Sequence, residues 1–264
     1  MIIIGEKINS SIPGVAAAIE RRDREFIQKL AKEQVAAGAD IIDVNAGAFL
    51  DEETELLPWL VNIVQEAVDA PLCIDSPNPA ALAAALKVAK QKALVNSISA
   101  EEDRYAQVLP LLKRHRAAVI AMCMDGRGIP GSANERVEIA RGLAGRLLAD
   151  GLAPEDIYLD VVVQPVATDT GSGVAAIEAV RAIREEMPDV HITCGLSNVS
   201  FGLPKRRLLN QAFAVILAAA GMDAMFVDPL DARLMALLAA TKTLAGQDEF
   251  CAEYLAAFRA GKLV

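Results

Sequence analysis

The sequence predicts an α/β protein, a (β/α)8 TIM barrel that forms a single domain over residues 1–264. Short apolar segments alternate with amphipathic segments eight times, which favours parallel strands joined by right-handed helical crossovers. Nearly every apolar segment ends in an acidic or amide residue. No linker-like or low-complexity stretch separates the units, and the pattern lacks the exposed edge strand that a doubly wound open sheet would require.

The predicted strands are short and aliphatic, as expected of strands that are covered on both faces. Each one stops where Gly, Pro, Ser, Asp or Asn begins the next loop. We place the strands at Met1–Gly5, Asp40–Val44, Pro71–Ile74, Ala93–Val95, Ala117–Ala121, Ile157–Leu159, Val190–Cys194 and Ala224–Val227.

The predicted helices show apolar residues at i, i+3 and i+4, and several carry end signals. Gly38 ends the first helix, Pro58 fits the first position of the second, and Ser132 with Glu135 has capping-box spacing. Pro110 is expected to kink or split its helix. We place the helices at Asp23–Ala37, Pro58–Val68, Pro79–Lys90, Glu102–His115, Ser132–Asp150, Val174–Glu186, Lys205–Ala220, Ala232–Leu244 and Glu249–Ala260.

The composition limits the functional classes. The formal net charge of −9 argues against a general nucleic-acid binder, because phosphate neutralisation needs a basic face. Although 53% of the residues are hydrophobic, no apolar run reaches the roughly 18 uncharged residues of a membrane span. The start, Met1–Ile4, is too short for a signal peptide, so we expect a cytoplasmic protein. The four cysteines are widely separated, and no metal site is predicted.

Polar residues at the predicted strand ends indicate a ligand site. Each one taken alone is typical of an ordinary loop or cap, but active sites of such barrels lie at the carboxyl ends of the strands. The residues are Glu6, Asn9, Asn45, Asp75, Asn96, Asp125, Asp160, Asn198 and Asp228.

This lining of carboxylates and amides suits a neutral heterocycle that is rich in N–H donors, such as a pterin or guanine edge. It suits a phosphate poorly, and Gly126-Arg127-Gly128 lacks the third glycine of a dinucleotide fingerprint. Neither His115 nor His191 lies at a predicted strand end, so histidine-driven catalysis is not expected.

Six motifs, spread over nearly the full length, resemble those of pterin-binding methyltransferases that act on methyltetrahydrofolate and a corrinoid protein. They also resemble the folate domain of cobalamin-dependent methionine synthase. The last motif is the most specific one, and the order and spacing of all six strengthen the resemblance. The motifs are Gly5-Glu6-Lys7-Ile8-Asn9, Asp43-Val44-Asn45-Ala46-Gly47, Ile74-Asp75-Ser76, Val95-Asn96-Ser97, Tyr158-Leu159-Asp160 and Gly195-Leu196-Ser197-Asn198-Val199-Ser200.

The resemblance implies a role for each matching residue. Asp75, Asn96 and Asp160 would hydrogen-bond the amino-pyrimidine edge of the pterin, and Asn198 would approach N5, which bears the methyl group. Arg206 would border the same pocket. Glu6 and Asn45, from the first two motifs, are assigned to substrate binding as well. The family fold is the barrel already predicted, and a homodimer is expected.

The resulting hypothesis is methyl transfer, in either direction, between N5 of tetrahydrofolate and the cobalt of a corrinoid. Asn198 is the predicted catalytic residue, since departure from N5 needs a hydrogen bond that strengthens as charge develops. An amide is not an acid at neutral pH, so the proton source is open. The chain contains no Asp-x-His-x-x-Gly motif, and we expect the corrinoid (cobalamin) on a separate partner protein.

Two alternatives stay open. A dihydropteroate synthase shares the pterin pocket but must also hold a diphosphate, which calls for cations near the seventh and eighth strand ends. The segment after the eighth strand is acidic instead, with Asp228 and Asp231. A folate-binding protein without turnover is the other alternative, and folate binding without methyl transfer would identify it.

Overall fold

Eight parallel strands line the inside of a barrel and ten helices surround them in the computed structural model, which describes residues 1–264. The predicted fold class is confirmed. The strands are β1 (Ile2–Asn9), β2 (Ile41–Asn45), β3 (Leu72–Asp75), β4 (Leu94–Ser99), β5 (Ala118–Met122), β6 (Ile157–Asp160), β7 (His191–Thr193) and β8 (Ala224–Val227). The helices are α1 (Pro13–Glu20), α2 (Arg24–Ala37), α3 (Glu53–Gln65), α4 (Pro79–Leu86), α5 (Glu102–His115), α6 (Ala133–Ala149), α7 (Ser172–Glu186), α8 (Arg206–Ala220), α9 (Ala232–Leu244) and α10 (Ala252–Arg259). None of the helices has the length and apolar character needed to cross a bilayer.

The barrel closes through seven strand ladders and one weak seam. The strands pair in chain order from β1 to β7, and β1 also pairs with β8. Between β7 and β8 there is a single bridge, from Gly195 to Phe226, and the main-chain hydrogen bonds are long: the Phe226 amide donates to the Cys194 carbonyl and the Asp223 amide to the Ile192 carbonyl, each at 3.4 Å. At the amino ends, the Asp223 carboxylate spans the seam: it accepts a hydrogen bond from the Ile192 amide at 2.8 Å and lies 2.8 Å from Nδ1 of His191.

Side chains inside the barrel change from apolar to polar toward the carboxyl ends of the strands. Inward positions alternate along each strand, so Ile4 is followed by Glu6, and Leu94 by Asn96. The lower, apolar layer belongs to a cluster of nine buried residues that includes Tyr158. Because this layer fills the floor of the barrel, a ligand can enter only from the polar end.

The first strand and the segment after it differ from the prediction. The placement of the strand end at Gly5 is wrong, because pairing with β2 resumes after a register shift and continues to Asn9. Glu6 and Asn9 therefore lie within the strand. The predicted loop around Pro13 and Gly14 contains α1, which has Pro13 in its first turn, a position that needs no amide donor.

The placement of Pro58 at the start of a helix is wrong, and so is the split expected at Pro110. Pro58 is the sixth residue of α3, which begins at Glu53, and the acidic side chains of its first turn suit the positive end of the helix dipole. Pro110 lies inside α5, which runs unbroken from Glu102 to His115. Each helix buries a stripe of large apolar side chains, and this burial outweighs the one hydrogen bond that each proline removes.

Candidate active site

A cavity of about 570 Å³ opens at the carboxyl end of the barrel, a volume within the usual range for small-molecule sites. The strand register explains why its polar residues converge. Asn9, Asn45, Asp75 and Asn96 are consecutive cross-strand partners on β1 to β4, so adjacent members lie about 5 Å apart across the sheet. Asp160 occupies the corresponding end of β6, next to Met122 of β5.

Three side chains that line the cavity keep hydrogen-bonding atoms free. Asp75 accepts a bond from the Asn45 amide at 2.8 Å through Oδ2 only, and Asp160 accepts one from the Val162 amide at 2.7 Å through Oδ1 only. The Asn96 side chain makes no hydrogen bond within the protein and also lines the cavity. Two carboxylate oxygens and one amide are thus available to a ligand that carries several N–H donors.

The Asp160 carboxylate is held by an unusual loop. Val162 has φ of 52°, a left-handed conformation that is strained for a β-branched residue. Arg136, which is fully buried, donates to the Val161 carbonyl at 2.9 Å and to the Ser132 carbonyl at 3.1 Å. The arginine from α6 therefore fixes the backbone directly after β6, and with it the amide that holds Asp160.

Asn198 lies on a 3-10 turn, Leu196–Ser200, that follows β7. It lines the cavity, and its side-chain amide makes no hydrogen bond within the protein. The neighbouring Ser197 hydroxyl donates to Glu6 Oε1 at 3.1 Å, which ties the turn to β1. This contact brings the side-chain amide of Asn198 and the carboxylate of Glu6 to the same part of the cavity, across the β7–β8 seam.

Two of the predicted substrate-binding residues, Asn45 and Arg206, lie behind the cavity wall. The Asn45 side chain donates a hydrogen bond to Asp75 and accepts one each from the Ser10 hydroxyl and the Gly47 amide. Arg206 donates to the Ser197 carbonyl at 2.8 Å. Their position therefore favours support of cavity residues over direct ligand contact.

The carboxylates of the mouth resist ionisation. Burial raises the pKa of Asp160 to about 6, against the lowering effect of the Val162 amide. Burial likewise raises the pKa of Asp75 to about 6, although the hydrogen bond from Asn45 opposes the shift. The pKa of Glu6 is raised by burial despite the bond from Ser197. Asp75 and Asp160 therefore change protonation state near pH 6, and raised carboxyl pKa values are typical of functional sites.

Other residues of the cavity carried weaker sequence signals. Asp43 on β2 is 2% exposed, and its Oδ1 has no hydrogen-bond partner; the inward alternation with Asn45 would have identified it. Met122 and Met124 give one wall an apolar surface that suits the flat face of a ring. Arg104, the one cation of the lining, comes from the first turn of α5, and no motif marks it.

Two other strand-end residues form ion pairs and do not line the cavity. Asp228 pairs with Lys7 at 3.0 Å, and Asp125 pairs with Arg127 at 2.8 Å. No group of three or more histidine, cysteine or acidic side chains is arranged to hold a metal ion. The cavity therefore offers carboxylate acceptors, the free side-chain amides of Asn96 and Asn198, and an apolar wall formed by two methionines.

A barrel whose mouth presents acceptor groups in this arrangement is typical of pterin enzymes, and the family comparison agrees. Residues 16–228 match the family described as pterin binding enzymes. The chain belongs to that family, and the resemblance predicted from the motifs is confirmed.

Within the family, the chain is 42% identical over 265 residues to a methylcorrinoid:tetrahydrofolate methyltransferase of Eubacterium limosum, an alignment that covers 100% of this chain and 98% of that protein. It is also 30% identical over 240 residues to a methionine synthase of Mycobacterium tuberculosis. That second alignment covers 86% of this chain but only 20% of the synthase.

Solved structures of dihydropteroate synthases share the fold. The enzyme from Vibrio fischeri superimposes with a TM-score of 0.72 at 18% identity, and 93% of each chain is covered. The Thermus thermophilus enzyme gives a TM-score of 0.64 at 22% identity, again with 93% of each chain covered. At this identity the likeness concerns the barrel and not the reaction.

Proposed function

We propose that the protein is a methyltransferase that moves a methyl group between N5 of tetrahydrofolate and the cobalt of a corrinoid. The observation that supports this most directly is the set of free acceptor atoms on Asp75 and Asp160, with the Asn96 amide between them. The full-length likeness to a methylcorrinoid:tetrahydrofolate methyltransferase supports the reaction class. The acidic segment around Asp228 and Asp231 does not favour the diphosphate chemistry of a dihydropteroate synthase.

The substrate assignment follows from donor and acceptor matching. The amino-pyrimidine edge of a pterin carries an amino group and a ring N–H, and carboxylate oxygens accept hydrogen bonds from both. Asp75 and Asp160 take this role, and the Asn96 amide bonds the carbonyl or a ring nitrogen. Asn45 and Arg206 serve the site indirectly, Asn45 by holding Asp75 and Arg206 by holding the turn that carries Asn198.

At N5, the protein has to stabilise the nitrogen and handle one proton. The Asn198 amide hydrogen-bonds N5, and Glu6, which the Ser197 hydroxyl ties to the same turn and whose pKa is raised by burial, holds the proton that N5 gains or loses. The same groups serve both directions, because each direction passes through the same transition state. The corrinoid supplies the metal that carries or accepts the methyl group. Placing the reactants in one geometry is the main contribution of the barrel.

The partner and the assembly belong to the same proposal. We infer that the corrinoid is bound to a separate protein, which docks at the polar end of the barrel because the cavity opens only there. A homodimer and a cytoplasmic location are proposed from the family resemblance.

The test is a methyl-transfer assay in both directions. The name of the full-length relative puts methylcorrinoid first, so methylcobalamin with tetrahydrofolate is the first pair, followed by methyltetrahydrofolate with reduced cobalamin. We expect transfer in both, and a loss of about 100-fold in kcat for Asn198→Ala, the usual effect of removing one well-placed donor.

The control is Asn62→Ala, an amide substitution on the outer helix α3, which should leave kcat unchanged. Dihydropteroate formation from the pterin diphosphate and aminobenzoate would overturn the proposal in favour of the synthase. Tight folate binding with no transfer to or from any corrinoid would overturn it in favour of a binding protein.

A further inference from the structure

Arg104 links two loops that follow two pterin-site residues. Its Nε donates to the Ser97 carbonyl at 2.9 Å, and its two terminal nitrogens donate to the carbonyls of Pro77 and Ser76 at 2.6 and 3.0 Å. Ser76 and Pro77 come directly after Asp75, and Ser97 directly after Asn96. One guanidinium thus fixes the peptide planes next to both side chains.

The position of Arg104 is unfavourable for its own helix. It is the third residue of α5, where the positive end of the helix dipole repels a cation. It forms no ion pair within 4 Å of a carboxylate; the three acceptors are all main-chain carbonyls. A planar fork with several donors can satisfy three carbonyls at once, whereas a lysine ammonium is a point charge without that geometry.

The charge of Arg104 also acts on Asp75. The charged groups that face Asp75 are Asp43 on β2 and Glu53 at the start of α3, which disfavour its ionised form, and Arg104 on α5, which favours it. Asp75 accepts its hydrogen bond from the neutral Asn45. Arg104 is the one cation of the cavity lining, and it favours the ionised form of Asp75 in addition to the hydrogen bond from Asn45.

Resting on the proposed function, we infer that Arg104 is a positioning residue for the pterin edge: it sets the geometry of Asp75 and Asn96 without contacting the reacting atoms. Displacement of such groups by about 1 Å is enough to weaken a site strongly. Two substitutions distinguish this geometric role from an effect of the Arg104 charge.

The experiment measures the dissociation constant of methyltetrahydrofolate from pH 5.5 to 8 for the full-length wild type, Arg104→Lys and Arg104→Met. Arg104→Lys keeps the charge and loses the fork, so we expect weaker binding by about tenfold and an unchanged pH midpoint. Arg104→Met loses both, so we expect weaker binding and an upward shift of the midpoint. In the transfer assay KM should rise while kcat stays within about twofold.

The matched control is Arg146→Met. Arg146 also contacts α5, through Glu102 and the ring of Tyr105, but it does not line the cavity, so neither the affinity nor the midpoint should change. Wild-type affinity in Arg104→Lys would overturn the inference, whatever happens to the melting temperature or to the midpoint of Arg104→Met. If Arg104→Met does not fold, the affinity of Arg104→Lys decides. Failure of the wild type to bind the folate would instead count against the proposed function.

Discussion

Asp75 and Asp160 each hold one oxygen in the protein and present the other to the cavity. The bonds from Asn45 and Val162 orient the carboxylates before a ligand arrives. Pre-oriented acceptors lose little side-chain entropy on binding. The cost is incomplete ionisation, because burial raises the pKa of both groups to about 6.

This predicts a pH dependence for folate binding. Both carboxylates are ionised above pH 6 and become neutral below it, so the strong acceptors are lost as the pH falls. The dissociation constant of methyltetrahydrofolate should rise by up to about tenfold per pH unit for each group below its pKa. Fluorescence titration from pH 5 to 8 measures it.

The Asp160→Asn variant tests the assignment to a residue. It should bind about tenfold more weakly at pH 7.5, where a charge-assisted bond is lost, and its pH dependence should be shallower than that of the wild type. An unchanged slope in this variant would mean that Asp160 does not control the titration.

At the scale of elements, the β7–β8 seam is the weakest part of the barrel wall, and Asp223 compensates for it. Besides His191 and the Ile192 amide, the carboxylate pairs with Arg184 at 2.7 Å. Burial alone would raise the pKa of Asp223, but these partners hold it below its ordinary value. Because Asp223 precedes β8 and two of its partners, the His191 ring and the Ile192 amide, lie on β7, the ionised carboxylate joins the two strands.

We therefore expect Asp223→Asn to lower the free energy of unfolding at pH 7 by about 1–3 kcal/mol, since it weakens charged hydrogen bonds at a site with few others. The wild-type contribution is present above the ordinary carboxyl pKa and is lost as the pH falls through the lowered value of the folded state. Urea unfolding at several pH values measures this. Glu186→Gln, which breaks an exposed pair with Arg141, is the control and should cost less than about 1 kcal/mol.

Strands and helices were predictable where apolar periodicity alone determined them, and less so where tertiary contacts did. β1 extends past Gly5 because β2 is beside it, and nothing local to the segment shows that neighbour. Pro58 and Pro110 lie inside helices because buried faces outweigh a lost hydrogen bond, whereas the local rule for proline predicts a boundary.

The site was predictable to a similar degree. Asp75, Asn96, Asp160, Asn198 and Glu6 all line the cavity, because parallel strands bring their carboxyl ends together. Arg104 and Arg136 could not be found from the sequence, since their partners are main-chain carbonyls of other elements. A carbonyl carries no residue-specific signal, so only the folded arrangement identifies such contacts.

At the scale of the whole molecule, the barrel concentrates acidic side chains at one end of a chain whose net charge is already −9. Asp43 is the most deeply buried of them: burial, and then the neighbouring Asp75 charge, raise its pKa well above the ordinary value. A folded state that binds protons more tightly than the unfolded chain loses stability as the pH rises. The buried carboxylates at the mouth of the barrel thus lower the stability of the fold while they provide a polar site for a ligand.

The Asp43→Asn variant tests whether the buried carboxylate lowers the stability of the fold. The amide removes the cost of protonating or burying the carboxylate, so the free energy of unfolding at pH 7 should increase. The gain should shrink toward zero near pH 4, where the unfolded chain is protonated as well. Urea unfolding at pH 7 and pH 4.5 measures both, with Asp51→Asn, an exposed substitution, as the control. A loss of stability at pH 7 would show that the Asp43 carboxylate is held by favourable partners, and the trade between stability and site would then lie with Asp75, Asp160 and Glu6.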